Sequence, residues 1–164
     1  MLLNQDEIHR LAGEKEKENL RFRSFLKNSD AKKIDWLVHE LYERIAGEID
    51  CTLCGYCCTR LRPVVMESDI DLLVKLLGMS RKNFRKKYTI TDEEGDMLFR
   101  HLPCKFLKGK KCTIYDSRPH DCRSYPHLHK AEITGRLYGI LENYSICPIV
   151  FNVIEALKTE LNFR

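Results

Sequence analysis

The residues best suited to chemistry in this chain are its cysteines. Cys51-Thr52-Leu53-Cys54-Gly55-Tyr56-Cys57-Cys58 packs four of them into two overlapping C-x-x-C units. A C-x-x-C turn lets two thiolates converge on one ion while backbone amides soften the sulfur charge. In a helix, Cys51, Cys54 and Cys58 would share a face, and Cys57 would point about 100° away. Gly55 argues against a regular helix through the segment. Adjacent Cys57 and Cys58 are therefore expected to do different jobs, one of them serving a second metal or the core.

Four more cysteines follow: Cys104, after Pro103, then Cys112, Cys122 and Cys147, before Pro148. The x2, x2 spacing with a distant Cys-Pro is similar to ferredoxin cluster ligation, although ferredoxins lack the extra Cys58 and space the last ligand differently. Four thiolates around Zn²⁺ or a [4Fe–4S]²⁺ core leave a net charge of about −2. Arg118, Arg123, Lys105 and Lys111 are close enough in sequence to donate to them. Arg118 and Arg123 are the candidate cofactor-binding residues, and ordinary surface pairing is their plainer alternative. Cys112 and Cys147, taken singly, also suit small buried apolar positions. A thioredoxin-type dithiol lacks its βαβ context here.

Other chemistry is weaker. His120, His127 and His129 lie near Cys122 and could complete a zinc site, but eight cysteines make them unnecessary. Arg81-Lys82-Asn83-Phe84-Arg85-Lys86-Lys87, with Lys105, Lys108, Lys110 and Lys111, could form an RNA patch or simply a solvated helix face. There is no G-x-G-x-x-G, Walker A or H-E-x-x-H motif. The C-x3-C-x2-C triplet of radical enzymes fails at Leu61.

The elements that must position these residues read as mainly helical. Residues 4–28 are expected to form one long, very polar, exposed helix, whose middle, Gly13-Glu14-Lys15-Glu16-Lys17-Glu18, has almost no apolar face. Asp30 can cap a second helix, where Ile34, Leu37, Val38, Leu41, Tyr42 and Ile45 form a core stripe ending near Gly47. Ser68 begins a third with Asp71 as its acidic capping partner; Ile70, Leu73, Leu76 and Leu77 line its inner face and Gly78 ends it. Ser80 caps a short basic helix through Tyr88. Residues 91–96 are turn-like, and short strands are expected at 97–101, 112–115 and 136–141. Pro148 opens a last helix with Ile149, Val150, Val153, Ile154, Leu157 and Leu161 on its apolar face. The fold class is α+β, mainly α with short β-hairpins, organised around metal as a single domain. Residues 1–50 form an N-terminal helical segment, and 51–164 the cysteine-rich part with the C-terminal helix.

With 28 Lys/Arg against 24 Asp/Glu, the net charge of +4 is too mild to imply a nucleic-acid partner by itself. No window holds the roughly 18 consecutive apolar residues of a membrane span. The first residues lack the basic and apolar regions of a secretory signal. A cytoplasmic, reducing location is expected, where disulfides are rare and metal ligation best explains the cysteines.

Three blocks occur in fixed order: Cys51-x-x-Cys54-Gly55-x-Cys57-Cys58; Pro103-Cys104-Lys105-Phe106-Leu107 with Cys112-Thr113-Ile114-Tyr115; and Arg118-Pro119-x-x-Cys122-Arg123-x-Tyr125-Pro126. Together they resemble the CxxCxxCC family, a zinc- or iron-chelating domain; flagellin lysine N-methylases carry a related domain. The resemblance implies a metal site drawn from Cys51, Cys54, Cys57, Cys58, Cys104, Cys112 and Cys122, with Cys147 less directly covered. It supplies no reaction. The favoured reading is an iron–sulfur protein, acting in electron transfer or beside a modification enzyme, with a 4Fe-4S cluster. The rival is a zinc-stabilised module that contacts protein or RNA. Cys51 and Cys54 are expected to be obligatory ligands.

Overall fold

The structure, a computed structural model, describes residues 1–163. Its elements run α1 (Gln5–Glu14), α2 (Glu16–Lys27), α3 (Ala31–Ala46), α4 (Cys51–Cys54), α5 (Cys57–Arg60), α6 (Glu67–Leu77), α7 (Arg81–Tyr88), β1 (Thr89–Thr91), β2 (Met97–Phe99), β3 (Leu107–Lys108), β4 (Lys111–Cys112), α8 (His120–Ser124), α9 (Leu137–Glu142) and α10 (Pro148–Glu160). The class is α+β: mostly helix, with β1–β2 and β3–β4 as two small antiparallel pairs. The chain divides into two compact units, residues 1–50 with 126–164, and residues 51–125. The C-terminal helix, expected with the cysteine-rich segment, thus groups with the N-terminal helices.

The reason lies in α3 and α10, which pack along each other. Asp30 caps α3 through the Lys33 N–H at 3.0 Å. Ile34, Val38, Leu41 and Ile45 are buried on α3, and Val150, Val153, Ile154 and Leu157 on α10, as their helical spacing requires. Asp35 then accepts from the Glu132 and Ile133 N–H groups, both at 2.8 Å, which ties the segment before α9 to α3.

The single polar helix expected over 4–28 is instead two helices, α1 and α2, broken at Lys15. On either side of the polar middle, Ile8, Phe22 and Leu26 are fully buried. That middle meets a polar patch of the same unit. Lys158, buried on α10, donates to Glu18 at 2.6 Å and to Glu155 at 2.7 Å, and Lys15 also pairs with Glu155. Tyr144 Oη donates to Glu155 at 2.8 Å. The expected strand at 136–141 is α9: Leu137 and Ile140 are buried while Tyr138 is 67% exposed, an i, i+3 pattern rather than alternation.

In the cysteine-rich unit, Val65, Ile70, Leu73, Phe84, Tyr88, Phe99, Phe106 and Ile114 form one core. Three rings form its centre, with Tyr88–Phe106 centroids 5.0 Å apart and Phe99–Phe106 5.5 Å apart. Gly78, left-handed at φ 61°, stops α6, and Ser80 caps α7. The capping partner of α6 is Asp69, not Asp71: its Oδ2 accepts from Met66 N at 2.9 Å. Leu76, expected on the inner face, is 53% exposed. The turn at 91–96 is the tip of the β1–β2 hairpin, closed by Asp92 Oδ1 accepting from the Glu94 and Asp96 N–H groups.

No single helix among the described residues is long and apolar enough to cross a membrane; the apolar stretch through α9 and α10 is bent by 116°.

Candidate metal centre

Seven of the eight cysteines lie in the unit of residues 51–125. Gly55 separates the first four. At φ 64° it takes a backbone conformation open mainly to glycine, ending α4 so that α5 can start afresh. A Cβ there would lie 2.7 Å from the Lys110 carbonyl oxygen, so the β3–β4 turn closes directly over Gly55. Helix α4 packs against β4, which ends on Cys112.

Cys104 is brought to Cys58 by its backbone N–H, which donates to the Cys58 carbonyl at 2.7 Å. The hairpin beyond is braced by Thr113, whose N–H and hydroxyl both donate to the Phe106 carbonyl, at 2.8 and 3.0 Å. Cys104 and Cys112 rest on the aromatic core. Cys122 rides on α8, whose start is fixed twice. Buried Asp69 accepts from His120 N at 3.0 Å, and Asp121 accepts from Val64 N at 3.0 Å.

Four thiols from these separate segments lie within electrostatic reach of one another. Burial pushes the Cys122 thiol up to about 12, and Cys58, Cys104, Asp121 and Cys112 push it the same way. Burial likewise raises Cys104, helped by Cys58 and Cys112. It raises Cys112 too, where Cys58 adds to the effect and the Arg118 charge opposes it. Cys58 goes the other way: its hydrogen bond with Cys57 lowers it to about 7 against the pull of burial. Cys58 thus acts on each of Cys104, Cys112 and Cys122, which also act on one another. Among the described residues, however, no three His, Cys, Asp or Glu side chains are gathered closely enough to hold a single metal ion.

The remaining candidates are placed as follows. Cys57 hydrogen-bonds with Cys58; Cys51 is exposed and Cys54 half-buried on α4. Cys147 belongs to the helical unit, buried just before Pro148 of α10. Arg118 donates to the Tyr115 carbonyl at 2.7 Å and stacks over that ring at 3.7 Å. Arg123 sits 4.0 Å from Asp69. Of the histidines, His120 contributes its backbone to Asp69, while His127 and His129 belong to the helical unit. Asp69 and Asp121 were not singled out from sequence; an aspartate three residues after a helix start carries that signal for Asp69 alone.

The donor set is chemically apt. Four thiols with cationic neighbours suit a soft, thiophilic metal and not an oxygen-seeking one. The CxxCxxCC profile, "Putative zinc- or iron-chelating domain", matches residues 50–144. The chain belongs to the CxxCxxCC family. Metal binding of the zinc or iron kind is thus its function at the coarse level. The family match takes in all seven cysteines of the unit and stops before Cys147. No curated protein and no solved structure matches the chain.

Proposed function

We propose that Cys58, Cys104, Cys112 and Cys122, rather than the Cys51 and Cys54 pair expected from C-x-x-C spacing, hold an iron–sulfur cluster, and that the protein serves electron transfer or carries the cluster for a modification enzyme. The supporting observation is that the fold brings cysteines of separate segments together: the Cys104 N–H donates to the Cys58 carbonyl at 2.7 Å, and Cys104 and Cys112 rest on one aromatic core. An all-thiolate donor set with a Cys-Pro pattern favours an iron–sulfur cluster over a lone zinc.

When bound, such a cluster supplies one-electron chemistry. The chain's own part is positional and electrostatic. The Cys104 N–H fixes two thiol segments to each other, Asp69 aims α8, and the Arg118 charge favours the Cys112 thiolate. The aromatic core shields one side from water.

The test is iron and sulfide content in single Cys→Ser variants of protein purified without oxygen. Changes at Cys58, Cys104, Cys112 or Cys122 should each lose most of both, and Cys147→Ser should keep them. Retention of both in Cys122→Ser would refute the assignment. Zinc without sulfide, lost in the same four variants, would replace the cluster by a zinc-stabilised interaction module.

A further inference from the structure

We infer that the β3–β4 lysine turn is the docking surface for an acidic protein. The cysteine-rich unit, residues 51–125, holds fifteen Lys/Arg against nine Asp/Glu, a net +6 in a chain whose total is +4. On α7 part of the charge is offset: Arg81 pairs with Glu67 and Asp71, and Arg85 pairs with Glu67 at 2.6 Å, while Lys82, Lys86 and Lys87 form no ion pair among the described residues. At the turn no offset exists: no carboxylate among the described residues pairs with Lys105, Lys108, Lys110 or Lys111, all of which are exposed.

The register of the hairpin sharpens this. Lys108 and Lys111 are direct cross-strand partners, with Gly109 at φ 60° and Lys110 between them. Like charges directly opposite destabilise a two-stranded pair. A strand pair of only two residues has little to offset that. Local conflicts of this kind concentrate at functional surfaces. The turn also borders the sulfur site: Lys110 lies against Gly55, and Lys111 precedes Cys112.

An acidic protein fits better than RNA. Single-stranded RNA uses open aromatic faces for stacking. Here Arg118 covers Tyr115 and Arg60 lies 5.4 Å over Tyr56, while Phe106 is buried. What remains is a compact group of point charges, the kind that steers a weak, transient protein encounter. That the docked partner exchanges electrons with the centre rests on the function proposed above; the position of the surface does not.

The experiment measures binding of a fluorescent glutamate peptide of about twenty residues, with an oligouridylate of matched charge as comparison, at about 50 and 200 mM salt. The metal content and melting midpoint of the same samples are recorded. Lys108→Glu should weaken peptide binding about fivefold or more, and raise the midpoint by replacing a like-charged pair with an opposite one. Lys108→Arg should retain binding, and Lys82→Glu/Lys86→Glu on α7 should change it less than about twofold. Equal losses from α7 and the turn, or RNA binding about tenfold tighter than the peptide through Lys108, would overturn the inference. Peptide binding through Lys108 by a protein that purifies without iron would refute the proposed cluster and leave this surface standing.

Discussion

Asp69 Oδ1 accepts the His120 backbone N–H at 3.0 Å while its Oδ2 accepts Met66 N at 2.9 Å. One buried carboxylate thus starts two helices, α6 on the core side and α8 on the cysteine side. It links the apolar packing of the unit to the position of Cys122.

Replacing Asp69 by Ala should therefore cost about 1–3 kcal/mol, the penalty for leaving buried backbone donors unsatisfied. Denaturant unfolding of the metal-free protein measures it. Metal affinity should fall in the same variant, because α8 loses its anchor. Asp69→Asn, which keeps one acceptor, should lose less of both.

Gly55→Ala tests how closely the first cysteine block is held to the lysine turn. The new Cβ would meet the Lys110 carbonyl at 2.7 Å, on a backbone at φ 64° that costs a non-glycine residue about 1 kcal/mol or more. The expected outcome is a lower melting midpoint and faster alkylation of Cys54 and Cys57, read by mass spectrometry of timed samples. Unchanged alkylation would show that the turn does not close over the block.

In the helical unit, stability should depend on pH through Glu155. Burial alone would raise its carboxyl, but hydrogen bonds from Lys15, Lys158 and Tyr144 together hold it below the ordinary value of 4.5. A carboxylate depressed in the folded state contributes stability that is present above about pH 4.5 and lost as pH falls through the depressed value. Urea unfolding at several pH values between about 3 and 6 should show a shallower acid loss in Glu155→Gln than in the parent. Identical slopes would mean that other carboxylates carry the acid transition.

Lys158→Met removes the cation shared by Glu18 and Glu155. Lys158 is 6% exposed, and breaking such a buried arrangement from one side costs about 3 kcal/mol. Adding Glu155→Gln should recover part of that loss, which a double-mutant cycle would read out.

The helices with dense apolar periodicity and clear caps were legible in the sequence: Asp30 and the stripe from Ile34 to Ile45, Ser80 before α7, and Pro148 at the start of α10. Segments whose inward groups are polar misled it. The span 4–28 reads as exposed because Lys15 and Glu18 are charged, and only their partners on α10, some 140 positions away, give those charges a reason to turn inward. Residues 136–141 lacked enough length for the i, i+3 pairing of Leu137 and Ile140 to stand out from a strand. At the site, local spacing exposed the cysteines but not their grouping. Cys58 meets Cys104 through a backbone bond across 46 positions, and no local pattern encodes that. The basic run on α7 is the strongest charge signal in the sequence, yet Glu67 and Asp71 take up its Arg81 and Arg85, whereas no carboxylate among the described residues pairs with the lysines at 108–111.

The central claim is a cluster held by thiols. Its most direct measurement is iron, zinc and acid-labile sulfide per chain, with a visible spectrum, on protein purified without oxygen. The account predicts about four irons and four sulfides with broad absorbance near 400 nm. One or two zincs with no sulfide and no colour would contradict it.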